Sequence, residues 1–461
     1  MSPYSIAFRA RAVALRLALL TPLAVACSDD DPTAPPSSDD PDAVAAVRDA
    51  AHPLGGSGDL DPLLDAIGDA RIVLLGENTH GTHEFFRERA RITQRLVEEK
   101  GFAAVAVEGD WPETARVNRY VRGLLGATSA DAALAGYVRF PTWTWRNVVV
   151  REFAQWLRAR NDARPPEQDV GFYGLDVYAL GTAVEEAQAY ASRTNPTTAA
   201  WLREQYACFE PYDGDAERYG AAAARGAASC AGAAPEALRA VEALPAAPAG
   251  DRAAAEERFS ALRAAHSVVN AEAYYRTASS GSESSWNLRD RGMMATLVAL
   301  GEHLETTYAR PPKVVVWAHN THVGDAQWAA MGQQGGEISL GQLVREQHGA
   351  QAFNVGFLTY TGTVFAASEW GEPGRVLDVR PALAGSYGAL LHEALGADHL
   401  LLLRAGPASD ALSTPRLERA IGVVYVPQSE RASHYFTAQL ARQFDAAIFI
   451  DRSTAVRPLG P

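Results

Sequence analysis

Four short apolar runs stand out along the chain: Arg71-Ile-Val-Leu-Leu-Gly, Ala103-Ala-Val-Ala-Val, Val170-Gly-Phe-Tyr-Gly-Leu and Lys313-Val-Val-Val-Trp-Ala. They are rich in Val, Ile and aromatic residues and show no polar alternation, the pattern of parallel strands covered on both faces. Between them the apolar spacing changes to that of helices. From Thr82 to Lys100, Phe85, Ile92, Leu96 and Val97 fall at helical spacing, and Gly101 follows as a stop. From Asn147 to Arg160, Val148, Phe153, Trp156 and Leu157 do the same. This alternation predicts an α/β fold, a mostly parallel sheet covered by helices. Residues from about 185 to 280 break the rhythm. They are Ala-rich and helical, interrupted at Pro211, near Gly226 and at Pro245-Ala-Ala-Pro-Ala-Gly, and predict a helical subdomain inserted between the third and fourth core strands. The α/β pattern resumes at Trp286-Asn-Leu-Arg-Asp-Arg-Gly, the opening of a helix through Leu300, with later strands at 352–360, 399–403 and 446–450.

The first 27 residues read differently. Arg9, Arg11 and Arg16 stand without an acidic partner, an apolar run follows, and Leu23-Ala-Val-Ala leads to Cys27. A basic start, a short apolar core and small residues before a break describe a secretory signal, too short to span a bilayer. Cys27 resembles the lipidated residue of a bacterial lipobox, although Ala24 stands where Leu is usual. The expectation is a protein exported to the bacterial cell envelope or periplasm and lipid-anchored through Cys27; ordinary cleavage near Ala26 is the alternative. Residues 28–58 carry Asp29-Asp-Asp, Pro35-Pro36, Ser37-Ser38 and Asp39-Asp40, a composition expected to form a solvated tether. The catalytic domain is then expected over 59–461.

The whole chain is 461 residues, 47% apolar and 21% charged, which excludes collagen-like, coiled-coil and wholly disordered classes. Its formal charge of −13 argues against nucleic acid as a partner. With Cys27 lipidated, Cys208 and Cys230 remain as one pair able to form a disulfide in an oxidising compartment.

The chemistry collects after the strands. The first ends in Gly76-Glu77-Asn78-Thr79-His80-Gly81-Thr82-His83, the second in Glu108-Gly109-Asp110, the third in Asp176 and the fourth in His319-Asn320-Thr321-His322. In open parallel sheets the ligand crevice lies beyond the carboxyl ends of the strands, so these residues are expected to build one polar site. A His can take a proton from water at neutral pH, and a carboxylate on its other nitrogen fixes the tautomer. Glu77 or Glu108 could orient the base while the other positions the water. Arg89 could orient a carboxylate or stabilise an oxyanion, or be one more surface Arg beside Arg87, Arg91 and Arg95. Glu77, His80, His319 and His322 also have the inventory of a metal site, but no His-Glu-x-x-His helix exists and acid/base work uses the same residue types. No metal or other cofactor is expected. No Gly-x-Ser-x-Gly elbow and no phosphate-binding Gly-rich loop is present.

These motifs, with Gly174-Leu-Asp-Val-Tyr, Trp286-Asn-Leu-Arg-Asp-Arg and Glu430-Arg-Ala-Ser-His-Tyr-Phe, resemble the erythromycin esterase family from about Leu60 to the C-terminus. The resemblance implies a parallel α/β core with added helices, a fold shared with a group of haem-binding lipoproteins. It also implies hydrolysis of a macrolactone ester by water activated on a His, without an acyl-enzyme. By motif the base falls on His80, the carboxylates on Glu77 and Glu108, the Arg on Arg89 and the second His pair on His319 and His322. Catalytic work is therefore expected of His80, Glu77, Glu108, Arg89 and His319. Contacts to a small-molecule ester are expected of His322, Asp176, His83 and His434. Trp143, Trp145, Tyr173 and Tyr178 either wall a site for an apolar lactone or are plain core. The competing expectations are a tethered haem- or iron-binding lipoprotein and a metal-dependent hydrolase.

Overall fold

Nine strands form one sheet in the computed structural model, which describes residues 40–124, 126–281, 284–310 and 312–460. The expected signal segment with Cys27, and residues 28–39 of the expected tether, lie outside the described residues. The strands are β1 (His52–Pro53), β2 (Ile72–Leu75), β3 (Ala104–Asp110), β4 (Gly171–Asp176), β5 (Val314–Trp317), β6 (Ala352–Ala366), β7 (Arg375–Val379), β8 (His399–Leu402) and β11 (Ala446–Ser453). A separate two-stranded ribbon pairs β9 (Arg416–Arg419) with β10 (Tyr435–Ala438). The sheet order is β1-β8-β11-β6-β2-β5-β3-β4, with β7 on the far end of β6. From β11 to β4 every neighbour is parallel, while β8, β1 and β7 join antiparallel. This is an α/β fold with a mostly parallel sheet.

The central strands are buried along their whole length because both faces are covered. Val73, Val105, Val315 and Trp317 face one apolar layer, and Leu74, Ala106 and Val316 face the other. The helix His83–Lys100 follows β2 and buries Phe85, Phe86, Arg89, Ile92 and Leu96 on one face. It stops at Gly101, whose φ of 70° ends the helix. Between β4 and β5 lie the helices Leu180–Thr194, Pro196–Tyr206, Ala216–Ala224, Ala233–Glu242 and Arg252–Ser280, with their own core of Ala183, Leu202, Tyr219 and Val268. A disulfide joins Cys208 to Cys230 within this layer.

One expectation needs correction. Residues 28–58 do not form a single tether, because Pro41–Ala50 is a helix capped by Asp40 and packed through Ala43, Val44 and Val47 against the sheet's second apolar layer. Arg48 fixes it by donating to Ala394 O at 2.8 Å. An apolar stripe at i, i+1 and i+4, behind an Asp cap and a Pro in the first turn, outweighs the polar composition of its surroundings.

Candidate active site

The carboxyl ends of β2, β5, β3 and β4 lie side by side in that order. The four chemistry-bearing segments therefore meet on one rim, as open parallel sheets allow. The ends of β2 and β5 are locked together by Asn320, whose backbone N–H donates to Glu77 O at 2.7 Å. The Asn320 amide also pairs with both backbone groups of Phe357 on β6. Gly76 makes this possible, since a Cβ there would fall 2.1 Å from Asn320 Oδ1.

Glu77 is buried, and both its oxygens are engaged. Oε1 accepts from His80 Nδ1 at 2.9 Å, and Oε2 accepts from Arg89 Nη2 at 2.7 Å. Arg89 occupies an inward position of its helix and is fully buried, with its guanidinium 4.4 Å from the Phe86 ring centre and 5.3 Å from that of Trp317. It orients Glu77 from behind. The alternative in which Arg89 meets an oxyanion directly does not fit this burial. His80 keeps a partly exposed ring, and its centre lies 4.8 Å from that of His319.

Glu108 sits on β3 opposite this pair. Its Oε2 accepts from the His319 backbone N–H at 2.7 Å, and its Oε1 accepts from Arg289 Nη2 at 2.6 Å. Arg289, on the helix Ser285–Tyr308, is the hub that the sequence reading missed. It also donates to Asp176 Oδ1 from Nε at 2.9 Å, to Asp176 Oδ2 from Nη2 at 2.7 Å, and to His322 Nε2 from Nη1 at 2.7 Å. Neighbouring Asp290 receives His322 Nδ1 at 2.9 Å. The Trp286 ring stacks on His322 with centres 4.2 Å apart.

The bonding assigns a tautomer to each of the three rings. Guanidinium has no acceptor, so His322 Nε2 must accept from Arg289 and its Nδ1 must carry the proton given to Asp290. His319 Nδ1 accepts from the Thr321 backbone N–H, which leaves the proton on Nε2. That Nε2 is buried, and the ring also interacts with the Asn78 backbone. Burial and the nearby His80 push the His319 ring down to about 3, so it is neutral. His80 behaves oppositely: burial pulls it down, but the Glu77 bond and the charges of Glu108 and Glu77 outweigh this and raise it above 6.5. Its Nδ1–H faces Glu77, and its Nε2 is the basic atom left free. Glu108 is pushed up by burial and pulled down further by neighbouring positive charge, with the Arg289 guanidinium bonded to it, so it stays ionised.

A model of the family described as erythromycin esterase matches residues 97–453. The chain belongs to the erythromycin esterase family. Erythromycin esterase type II of Escherichia coli is 29% identical over 126 residues, a match that spans 27% of this chain and 28% of that protein's length. A protein described as a succinoglycan biosynthesis protein has a similar structure, with a TM-score of 0.72 at 21% identity, covering 92% of this chain and 100% of the other. A variant of the erythromycin esterase EreC in its open conformation gives a TM-score of 0.59 at 17% identity, covering 87% of this chain and 95% of that one. At these identities the structural likeness is one of fold.

Within this member of the erythromycin esterase family, not every expected residue joins the cluster. Asp176 does, but as the carboxylate that holds Arg289. His83 opens its helix half-buried, and none of the bonds that knit the site runs through its ring. His434 is accounted for elsewhere: its Nε2 accepts from the Val426 backbone N–H at 3.1 Å, and its ring packs on Tyr425. Trp143, Trp145 and Tyr173 are buried core, with Trp145 Nε1 donating to Glu108 O at 3.0 Å. Tyr178 is at the site, flanked by the guanidinium groups of Arg139 at 4.7 Å and Arg289 at 4.8 Å from its ring centre. The conditional metal ligands Glu77, His80, His319 and His322 are not arranged as a ligand set. Both oxygens of Glu77 and both nitrogens of His322 are already bonded, one of the latter to a cation. Among the described residues no three His, Cys, Asp or Glu converge to hold an ion.

Proposed function

We propose that the chain hydrolyses a carboxylic ester, with a macrolide-like lactone as substrate, by water activated on His80. The observation that carries this reading is the division of labour among the three imidazoles. His322 has both nitrogens bonded, His319 carries its proton on Nε2, and His80 alone keeps a basic nitrogen outside the bonds of the site, on a partly exposed ring backed by an oriented carboxylate.

In the proposed step His80 Nε2 takes a proton from water as the oxygen attacks the ester carbonyl. Glu77 stabilises the imidazolium that forms, held in turn by Arg89. His319, whose ring centre lies 4.8 Å from that of His80, is the neighbouring group assigned to the carbonyl oxygen as negative charge develops there. The carbonyl re-forms, the alkoxide leaves and takes the proton from His80, and a lactone opens to a hydroxy acid. Glu108 holds the His319 segment through its backbone and is placed to orient the attacking water.

Export with a lipid on Cys27 belongs to the same proposal. It is supported by the pattern of residues 9–27 and by the Cys208–Cys230 disulfide, since such bonds persist in oxidising compartments. A Cys27→Ala protein recovered in the soluble envelope fraction would bear it out; one still tied to membranes would end it. The hydrolytic reading is tested by incubating the protein with a macrolide panel and following water addition by mass. Ring-opened product from at least one macrolide is expected, and none from any would overturn it.

A further inference from the structure

Four large apolar side chains stand exposed among the described residues: Val138 at 71%, Trp370 at 60%, Val376 at 60% and Trp201 at 37%. Single exposed hydrophobes are ordinary, but three of these four belong to one neighbourhood. An aromatic ladder connects it to the site. Phe365 lies against Gly81, next to His80: its N–H donates to Gly81 O at 3.0 Å, and a Cβ on Gly81 would fall 1.9 Å from Phe365 O. Trp143 stacks edge-on against Phe365 at 5.4 Å, Phe140 against Trp143 at 5.3 Å, and Trp370 against Phe140 at 5.0 Å. Val376 faces Phe365 directly across the β6–β7 ribbon. On the other side of the segment, Arg139, between Val138 and Phe140, reaches inward. It donates to Asp110 at 2.8 Å and covers the Tyr178 ring that Arg289 covers from the site.

We propose that this rim, Val138, Phe140, Trp370 and Val376, binds the apolar body of a large ester substrate while the reacting carbonyl sits at His80. The proposal rests on the hydrolytic reading above and adds the residues that select for size and apolarity. The commitment to substrate follows from continuity: the strand residue that carries the first ring is paired through its backbone with Gly81, beside the base, and the ladder ends in solvent at Trp370, so a ligand spanning both covers the exposed rings. Contacts of this kind act on ground and transition states alike, and their loss raises KM with little change in kcat.

The experiment compares wild type, Trp370→Ala and Val138→Asp on erythromycin and on the small ester p-nitrophenyl acetate. Binding of erythromycin is measured in parallel on the same variants in a His80→Ala background. Both altered side chains are exposed, so thermal melting should not move. A rise of roughly tenfold or more in KM for erythromycin, with kcat and the small-ester rate within about twofold, is the expected result. A matching loss of affinity in the His80→Ala background is expected too. Unchanged erythromycin KM and affinity, or equal loss on both esters, would overturn the rim. If wild type turns over neither ester yet the variants still weaken erythromycin binding, the hydrolytic reading fails and the rim stands.

Discussion

Arg289 donates to His322 Nε2 at 2.7 Å, and that bond makes His322 a neutral strut between a guanidinium and the Asp290 carboxylate. The same guanidinium neutralises Glu108 and Asp176, whose side chains are almost wholly buried. Removing it leaves two buried carboxylates without a counter-charge. Arg289→Ala should therefore lose about 3–5 kcal/mol of stability at neutral pH, read by denaturant unfolding. The sign of the pH dependence follows from Glu108. Its folded pKa lies below its ordinary value of 4.5, so its contribution is in place above that value and lost as pH falls. The difference between wild type and Arg289→Ala should narrow in acid; a constant or widening gap would contradict the assignment.

The pH profile of turnover should carry the mark of Glu77. His80 must be neutral to act as a base, and its pKa is raised above 6.5, so kcat/KM should fall as pH drops through a value above 6.5. In Glu77→Gln the Glu77 charge and the charge-assisted bond are gone, while the charge of Glu108 remains. The acid limb should move to lower pH while the plateau rate falls ~10²–10⁴-fold through loss of tautomer control. A limb that stays in place would separate the two residues.

The helical layer offers a contrast. The Cys208–Cys230 disulfide closes a loop with a sequence separation of 22 residues, distant in sequence from every strand end that builds the site. Replacing both with Ser should cost about 3 kcal/mol of stability and leave small-ester turnover nearly unchanged. Equal stability of the two forms under oxidising conditions would show that the bond does not form.

Much of this was written plainly in the chain. The continuous apolar runs marked the buried parallel strands, and residues after four of them met on one rim because β2, β5, β3 and β4 are neighbours. Arg89 was ambiguous by composition, since its helix carries four Arg. Its spacing from Phe85, Phe86, Ile92 and Leu96 places it on the buried face, a signal that charge alone obscures. Arg289 and Asp290 went unassigned for a related reason. They open a helix whose buried face continues through Met293, Met294, Leu297 and Leu300, so a charged pair on an apolar stripe was the available clue. His434 misled in the other direction, because a motif position says nothing about whether a ring is already satisfied by a nearby backbone N–H.

The most direct test of the account is the rate of ester hydrolysis by His80→Ala, on protein whose melting curve matches wild type. Loss of at least ~10²–10⁴-fold, partly restored by added imidazole, is the result predicted for a base at this position. A folded His80→Ala protein that adds water to the ester at close to the wild-type rate would contradict it.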